Sequence, residues 1–437
     1  MQATAPAPTL ERQGTHALLT SALSVVLGLL LSVVIARTLG PEGKGVLDVA
    51  SASAALFALF FGGSLNVGLT HLVARHGGSP PNLARQLAFW GIGAALVSLG
   101  CLALQPDLTI RLGLLPPNDI RFWLSFVAAT VGCGVWSAGL RGILIGAHAS
   151  ITVNRIELAV KTVLLAIYLT LAAGGFHRPQ AFAIAGVVCA AGLTVASTLA
   201  PRGPEVLVPG WWPALLAASL PMHGNNLLQF VNQRADVFFI QASHGSGEVG
   251  RYALAVSLAQ IVLLIASALA QPLLPRVSAA RSPAEAADAT AGICRQFIAL
   301  GVMITGALLL GGTWLVPHVF GRDFSGSIPS LVVLLPGIIA YGVHHILIAY
   351  FAGIDRSRVN VAISTAALVV TVAGNVWLTR RYGALGAALT STCAYTLGAV
   401  LSVTVFVRRT GISPRDLLCP TAADWRDALL RGTRFRL

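Results

Sequence analysis

The chain has 437 residues, of which 55% are hydrophobic and only 10% charged, with a mean hydropathy of +0.77. Soluble proteins carry roughly 25% charged residues, so this composition excludes an ordinary water-soluble domain. The net charge of +13 does not point to nucleic acid. Basic residues are scattered between apolar runs, and only Lys44 and Lys161 are lysines; that is the pattern of topology signals.

Long runs of Ala, Leu, Val, Ile and Gly favour helices over a barrel, which would need short alternating strands. Each crossing takes roughly 20 apolar residues. In chain order the runs predict spans at 15–36, 46–73, 83–105, 121–146, 153–175, 180–199, 213–240, 249–274, 291–318, 327–351, 359–379 and 384–407. The first has no small-residue cleavage signal after it and reads as a retained span. The seventh exceeds one straight crossing, which suggests a kink at Pro221 or an interfacial start anchored by Trp211 and Trp212. The expected domains are an N-terminal segment 1–14, a six-helix bundle 15–200, a second bundle 201–407 and a basic tail 408–437. Placing both termini in the cytoplasm puts 19 Lys and Arg on that side and 9 on the other, with Arg234 inside a span, as the positive-inside rule requires. The tail, with seven Arg among Asp416, Asp424 and Asp427, is expected on the cytoplasmic leaflet, where anionic lipid attracts basic residues by roughly 1 kcal/mol each.

The halves resemble each other. The run from Gly45 matches that from Gly250, the loop from Gly146 to Asn154 matches Gly353 to Asn360, and Gly186 is set against Gly386. The offsets are near two hundred residues. Six spans per half makes the repeat parallel. The sequence therefore predicts an all-α integral membrane protein of about 12 spans, in two pseudo-symmetric bundles around a central cavity.

Chemistry-bearing patterns are few. The stretch Gly40-Pro41-Glu42-Gly43-Lys44-Gly45 has the wrong spacing for a phosphate loop and reads as a turn. The six cysteines show no CxxC pair, so no metal site or disulfide framework is expected, and no cofactor. Outer connections are short, which counts against an enzyme.

Polar residues within spans are costly and therefore informative. In the seventh span, Asn225, Gln229, Asn232 and Asp236 fall within about 60° of arc at 100° per residue. This stripe is read as facing a hydrated cavity; helix–helix hydrogen bonding is the plainer alternative. Arg234 falls on the opposite side and either snorkels or pairs with another helix. In the eighth span Ser257, Gln260, Ser267 and Gln271 form a second stripe, in which Ser257 and Ser267 are read as structural. Arg141 and Lys161, around the fourth-to-fifth loop, could draw in an anionic head group; Arg155 is read as an interface anchor. Asn66, His71, His344 and His345 are lone polar residues.

The stretch from Ile35 to Gly45 resembles the first outer loop of the polysaccharide-biosynthesis flippases. These form the oligosaccharide-lipid branch of the multidrug/oligosaccharidyl-lipid/polysaccharide exporter superfamily. Asp236 to Ile240 with Gly250 to Ala253, Pro272 to Arg276, and Arg381 to Leu389 are similar to that family too. The resemblance implies a flippase. It would carry a polyprenyl-diphosphate-linked oligosaccharide across the bacterial inner (cytoplasmic) membrane by alternating access, for O-antigen, capsule or exopolysaccharide assembly. The implied partners are that substrate, membrane lipids and a glycosyltransferase or polymerase of the same pathway, with the chain itself a monomer. The substrate-binding candidates are Asn225, Gln229, Asn232, Asp236, Arg234, Arg141, Lys161, Gln271 and Asn66. The alternative is an ion-coupled drug or small-molecule exporter of the same superfamily; the absence of a carboxylate from the first span counts against it.

Overall fold

The structure is a computed structural model that describes residues 10–431. Residues 1–9 of the N-terminal segment, and Arg434 and Arg436 of the tail, lie outside the described residues, as do the side chains of Arg12, Asp427 and Arg431.

The described chain is helical throughout. Its helices are α1 (Leu10–Gly62), α2 (Leu65–His76), α3 (Leu83–Leu104), α4 (Pro106–Arg111), α5 (Ile120–Gly146), α6 (Ser150–Ala173), α7 (Pro179–Leu199) and α8 (Trp211–His244). They continue with α9 (Ser246–Ser278), α10 (Pro283–Leu315), α11 (Ser327–Gly353), α12 (Ser357–Gly374), α13 (Arg380–Thr410), α14 (Pro414–Leu418) and α15 (Ala422–Arg431). Short π-turns, Val316–Phe320 and Asn375–Thr379, extend α10 and α12.

Among the described residues, nine stretches are long and apolar enough to cross a membrane. Two of them, Leu23–Gly62 and Arg358–Thr410, are 40 and 53 residues long. At 1.5 Å per residue these would measure about 60 and 80 Å, twice the hydrocarbon thickness or more. Each bends back at a glycine outside the helical region, Gly40 (φ 67°) and Gly383 (φ 56°), and so supplies two crossings. With α8, whose polar stripe keeps it out of the apolar set, the spans number twelve.

The chain divides into two compact units. Of the described residues, unit 1 holds those up to 39 and 46–227, and unit 2 holds 40–45 and those from 228 onward. The sequence places the division after residue 200, whereas 201–227 packs with unit 1. The cause is apolar: Trp211 and Leu215 are buried with Leu65, Leu69, Leu83 and Leu140, and the Ser79 amide donates to the Pro204 carbonyl at 3.2 Å. Trp211 is therefore a core residue and not an interfacial anchor, while Trp212 stacks on Trp90. Pro221 lies inside an unbroken α8. The second span, expected at 46–73, is interrupted at Gly63 and Ser64, both at positive φ, which separates α1 from α2.

In unit 1, α5 is the central helix. Val127, Val131 and Val135, one per turn, are buried with Trp123 and Phe182, and Gly91 of α3 lies against the Gly132 carbonyl of α5. In unit 2, α11 packs on α9, α10, α12 and α13. The tail folds back onto α10: Arg295 pairs with Asp424 at 3.3 Å, and Trp425 covers Ala299 and Leu300.

The repeat is written in the backbone. Residues at positive φ recur at Gly40 and Gly245, Gly113 and Gly321, His148 and Asp355, and Gly175 and Gly383, at offsets of 205 to 208. Gly45/Gly250 and Gly146/Gly353 keep this register, whereas Gly186/Gly386, at 200, falls outside it. Each pair marks an equivalent link between spans, because a turn with φ > 0 is a steric requirement that outlasts side-chain change.

The segment 40–45 illustrates that requirement. Within unit 2, a Cβ on Gly45 would lie 1.7 Å from the Ser246 carbonyl oxygen, and one on Gly250 would lie 1.9 Å from that of Pro41. Pro41 and Ser246 are themselves repeat equivalents, so the contact is reciprocal. The phosphate-loop likeness dissolves here: Gly40 makes the turn and Pro41 opens a helix, as Pro does at a first helical position.

Candidate functional site

The polar stripe of α8 enters the interior of unit 2. Gln229 donates to the Ser364 hydroxyl (3.4 Å) and Asn232 donates to the Ser364 carbonyl (3.1 Å). Thr371 of α12 donates to the Asn232 carbonyl oxygen at 3.2 Å. Asp236 is 4% exposed. Its carboxylate accepts from the Tyr252 hydroxyl of α9, the Ser391 hydroxyl of α13 (3.5 Å) and the Val237 amide (2.8 Å). Gln233, on the flank of the stripe, donates to the Tyr341 hydroxyl at 3.0 Å. Among the described residues no Lys or Arg lies in ion-pair contact with Asp236. A charged carboxylate at this depth is costly without a cation, so its three donors are what hold it.

Two small pockets of mixed polar and apolar lining adjoin this network. Gln229, Asn232, Ser364, Thr371, Tyr341 and His344 line one; Gln233, Asp236, Tyr252, Gln260, Tyr341 and Tyr395 line the other. His344 meets Ser402 at 2.6 Å and His345 meets Ser267 at 3.4 Å.

Unit 1 carries a different arrangement. Asn154, Glu157 and Lys161 stand at helical spacing on α6. Asn154 donates to Thr20 (3.2 Å), Arg141 of α5 pairs with Glu157 at 2.5 Å, and Lys161 donates to Ser24. Arg141 and Glu157 each keep about a third of their side-chain surface. The strip therefore carries one positive charge beyond its internal pair, on a helix that is apolar along most of its length.

The remaining candidates are dispersed. Asn66 and Gln271 are exposed, Arg234 is exposed on the side of α8 opposite Asp236, and Asn225 is half-buried. Its neighbour Asn226 makes the tie instead, donating to Ser64 at 3.0 Å. In the eighth span Ser257 bonds its own helix at Ala253, while Gln260 lines the second pocket. The sequence reading passed over Tyr252, Ser364, Thr371, Ser391 and Tyr395. The signal that marks them is polarity at mid-span on separate helices.

Among the described residues, no cluster of His, Cys, Asp and Glu suits a metal ion.

Two helical units with this span order and these kinks make a multi-span helical membrane fold. The chain superposes on the lipid II flippase MurJ in its inward closed conformation with a TM-score of 0.70 at 15% identity, covering 94% of this chain and 90% of that one. An inward-facing multidrug resistance MATE family transporter of the MOP superfamily gives a TM-score of 0.71 at 14% identity, covering 89% and 94%. The Vibrio cholerae MATE transporter VcmN gives 0.58 at 13% identity, covering 92% and 97%. At such identities the likeness is one of fold. No curated protein matches the sequence. The family model for polysaccharide biosynthesis proteins matches residues 12–281, and the chain belongs to that family.

Proposed function

We propose that this protein is a flippase for a polyprenyl-diphosphate-linked oligosaccharide, moving it between the leaflets of a bacterial inner membrane by alternating access during O-antigen, capsule or exopolysaccharide assembly. The observation that carries the reading, beyond family membership, is the cationic strip of unit 1. Lys161 lies eleven residues into α6, about 16 Å along the helix. Among the described residues its partner is a serine hydroxyl and not a carboxylate. An ammonium held at that depth is costly, and a diphosphate is a group that would repay it. Arg141 pairs with Glu157, one turn before Lys161 on α6. The lipid tail can remain in the bilayer. The protein would act without a cofactor and without catalysing a reaction, with glycosyltransferases or a polymerase of the same pathway as partners.

In a deletion strain the completed lipid-linked unit is expected to accumulate on the cytoplasmic leaflet, with surface polysaccharide lost. A membrane-impermeant sugar-modifying enzyme reports which leaflet holds it. Complementation with Lys161→Gln should leave the accumulation in place although the variant reaches the membrane. Unchanged amounts and sidedness in the deletion strain would remove the flippase reading and favour a small-molecule exporter.

A further inference from the structure

The two pockets of unit 2 are neighbours with a common wall. Tyr341 and Tyr395 line both, and their rings lie 4.6 Å apart between centroids. Asp236 stands at one end of the pair and His344 at the other. Each pocket has room for about one water and is lined by enough polar atoms to hold it.

The wall is built to pass hydrogen bonds through. A phenol both donates and accepts, and the Tyr341 hydroxyl is held by two amides, accepting from Gln233 at 3.0 Å and donating to Gln229 at 3.3 Å. The groups facing Asp236 are Tyr252 from α9 and Ser391 and Tyr395 from α13; Arg234, the nearest cation on its own helix, points to the opposite side. Those facing His344 are Tyr341 and His345 from α11, and Ser402 and Gly398 from α13. A purely structural carboxylate needs its donors alone. This one also opens onto a pocket whose far wall leads to an imidazole.

We propose that Asp236, Tyr341, Tyr395 and His344, with one water in each pocket, form a proton relay inside unit 2. In one transfer the Asp236 carboxyl gives its proton to the first water, which passes a proton to the Tyr341 oxygen. The phenol turns its hydroxyl from Gln229 to the second water and releases its own proton there, and the His344 nitrogen not engaged by Ser402 takes it up. Asp236 ends as carboxylate, His344 as imidazolium, and the tyrosine is unchanged. Tyr395, on the same wall, holds Tyr341 and completes the polar surface. The relay extends the transporter reading to its driving force and does not depend on the cargo.

The test is time-resolved infrared spectroscopy of the full-length protein in lipid after photorelease of protons. A protonated-carboxyl band is expected that Asp236→Asn removes. Tyr341→Phe and His344→Gln should slow its appearance about tenfold or more while leaving its titration midpoint in place, which a structural role would not do. Should Tyr341→Phe fail to fold, Tyr395→Phe tests the same wall and should slow the band as well. No Asp236-dependent band, or unchanged rates in these variants, would overturn the relay. Neither outcome touches the flippase reading, because no oligosaccharide is present; conversely, a deletion strain with normal oligosaccharide sidedness would leave the relay standing.

Discussion

Gly250→Val is expected to cost more stability than any other single change considered for this protein. The new Cβ would fall 1.9 Å from the Pro41 carbonyl oxygen and 3.0 Å from the Gly45 amide nitrogen. Both are backbone atoms, so no side chain can swing aside. Overpacking in a close-packed interior costs about 1–3 kcal/mol, occasionally more, and here the only relief is displacement of segment 40–45 or of the start of α9. Gly45→Val should behave alike, because its Cβ meets the Ser246 carbonyl. The check is the thermal unfolding of the purified variants in detergent beside Gly247→Val. Gly247 has open space where its Cβ would be, and its variant should lose less. Equal behaviour of all three would show that the reciprocal contact does not tighten the fold.

Asp236→Asn should abolish transport, by tenfold or more, with near-normal amounts of protein in the membrane. The amide keeps the shape and its oxygen can still accept from Tyr252 and Ser391, while its NH2 group replaces the oxygen that accepts from the Val237 amide, so the side-chain hydrogen bonds survive and the backbone one is lost. What disappears is the ability to carry charge or exchange a proton. Asp236→Leu should add a structural penalty, because the Tyr252 hydroxyl is left buried with its main acceptor removed, at about 1–3 kcal/mol for such an orphaned group. Comparing the two variants separates chemistry from packing: retained transport in Asp236→Asn, with loss only in Asp236→Leu, would assign Asp236 a structural role. Asn232→Ala, which releases both Ser364 and Thr371, should impair transport as well.

Much of the architecture could be read from hydropathy, since a bilayer admits few backbone solutions. The twelve spans and the internal repeat follow from apolar run length and from loop glycines such as Gly45 and Gly250. The break at Gly63–Ser64 was hidden because apolar residues continue across it, and the burial of Trp211 because tryptophan suits both an interface and a core. The α8 stripe was visible since its residues share one helical face. Its partners were less so: Ser364 and Thr371 share one face of α12, seven residues apart, but Tyr252 stands on α9 and Ser391 on α13. No periodicity links these three helices before the chain is folded. The same stripe also shows the limit of angular reasoning. Asn225 belongs to it by arc, yet Gln229, Asn232 and Asp236 lie in unit 2 whereas Asn225 lies in unit 1.

That change of allegiance along α8 bears on biogenesis. The first six spans leave unit 1 unfinished, since residues 201–227 supply Trp211 and Leu215 to its core. Unit 2 takes residues 40–45 from the opposite end of the chain. As the polypeptide emerges during synthesis, the earlier unit waits for the seventh span before its core can close, and the later unit closes on a segment inserted long before. Each core is thus completed by chain that belongs, by sequence, to the other half.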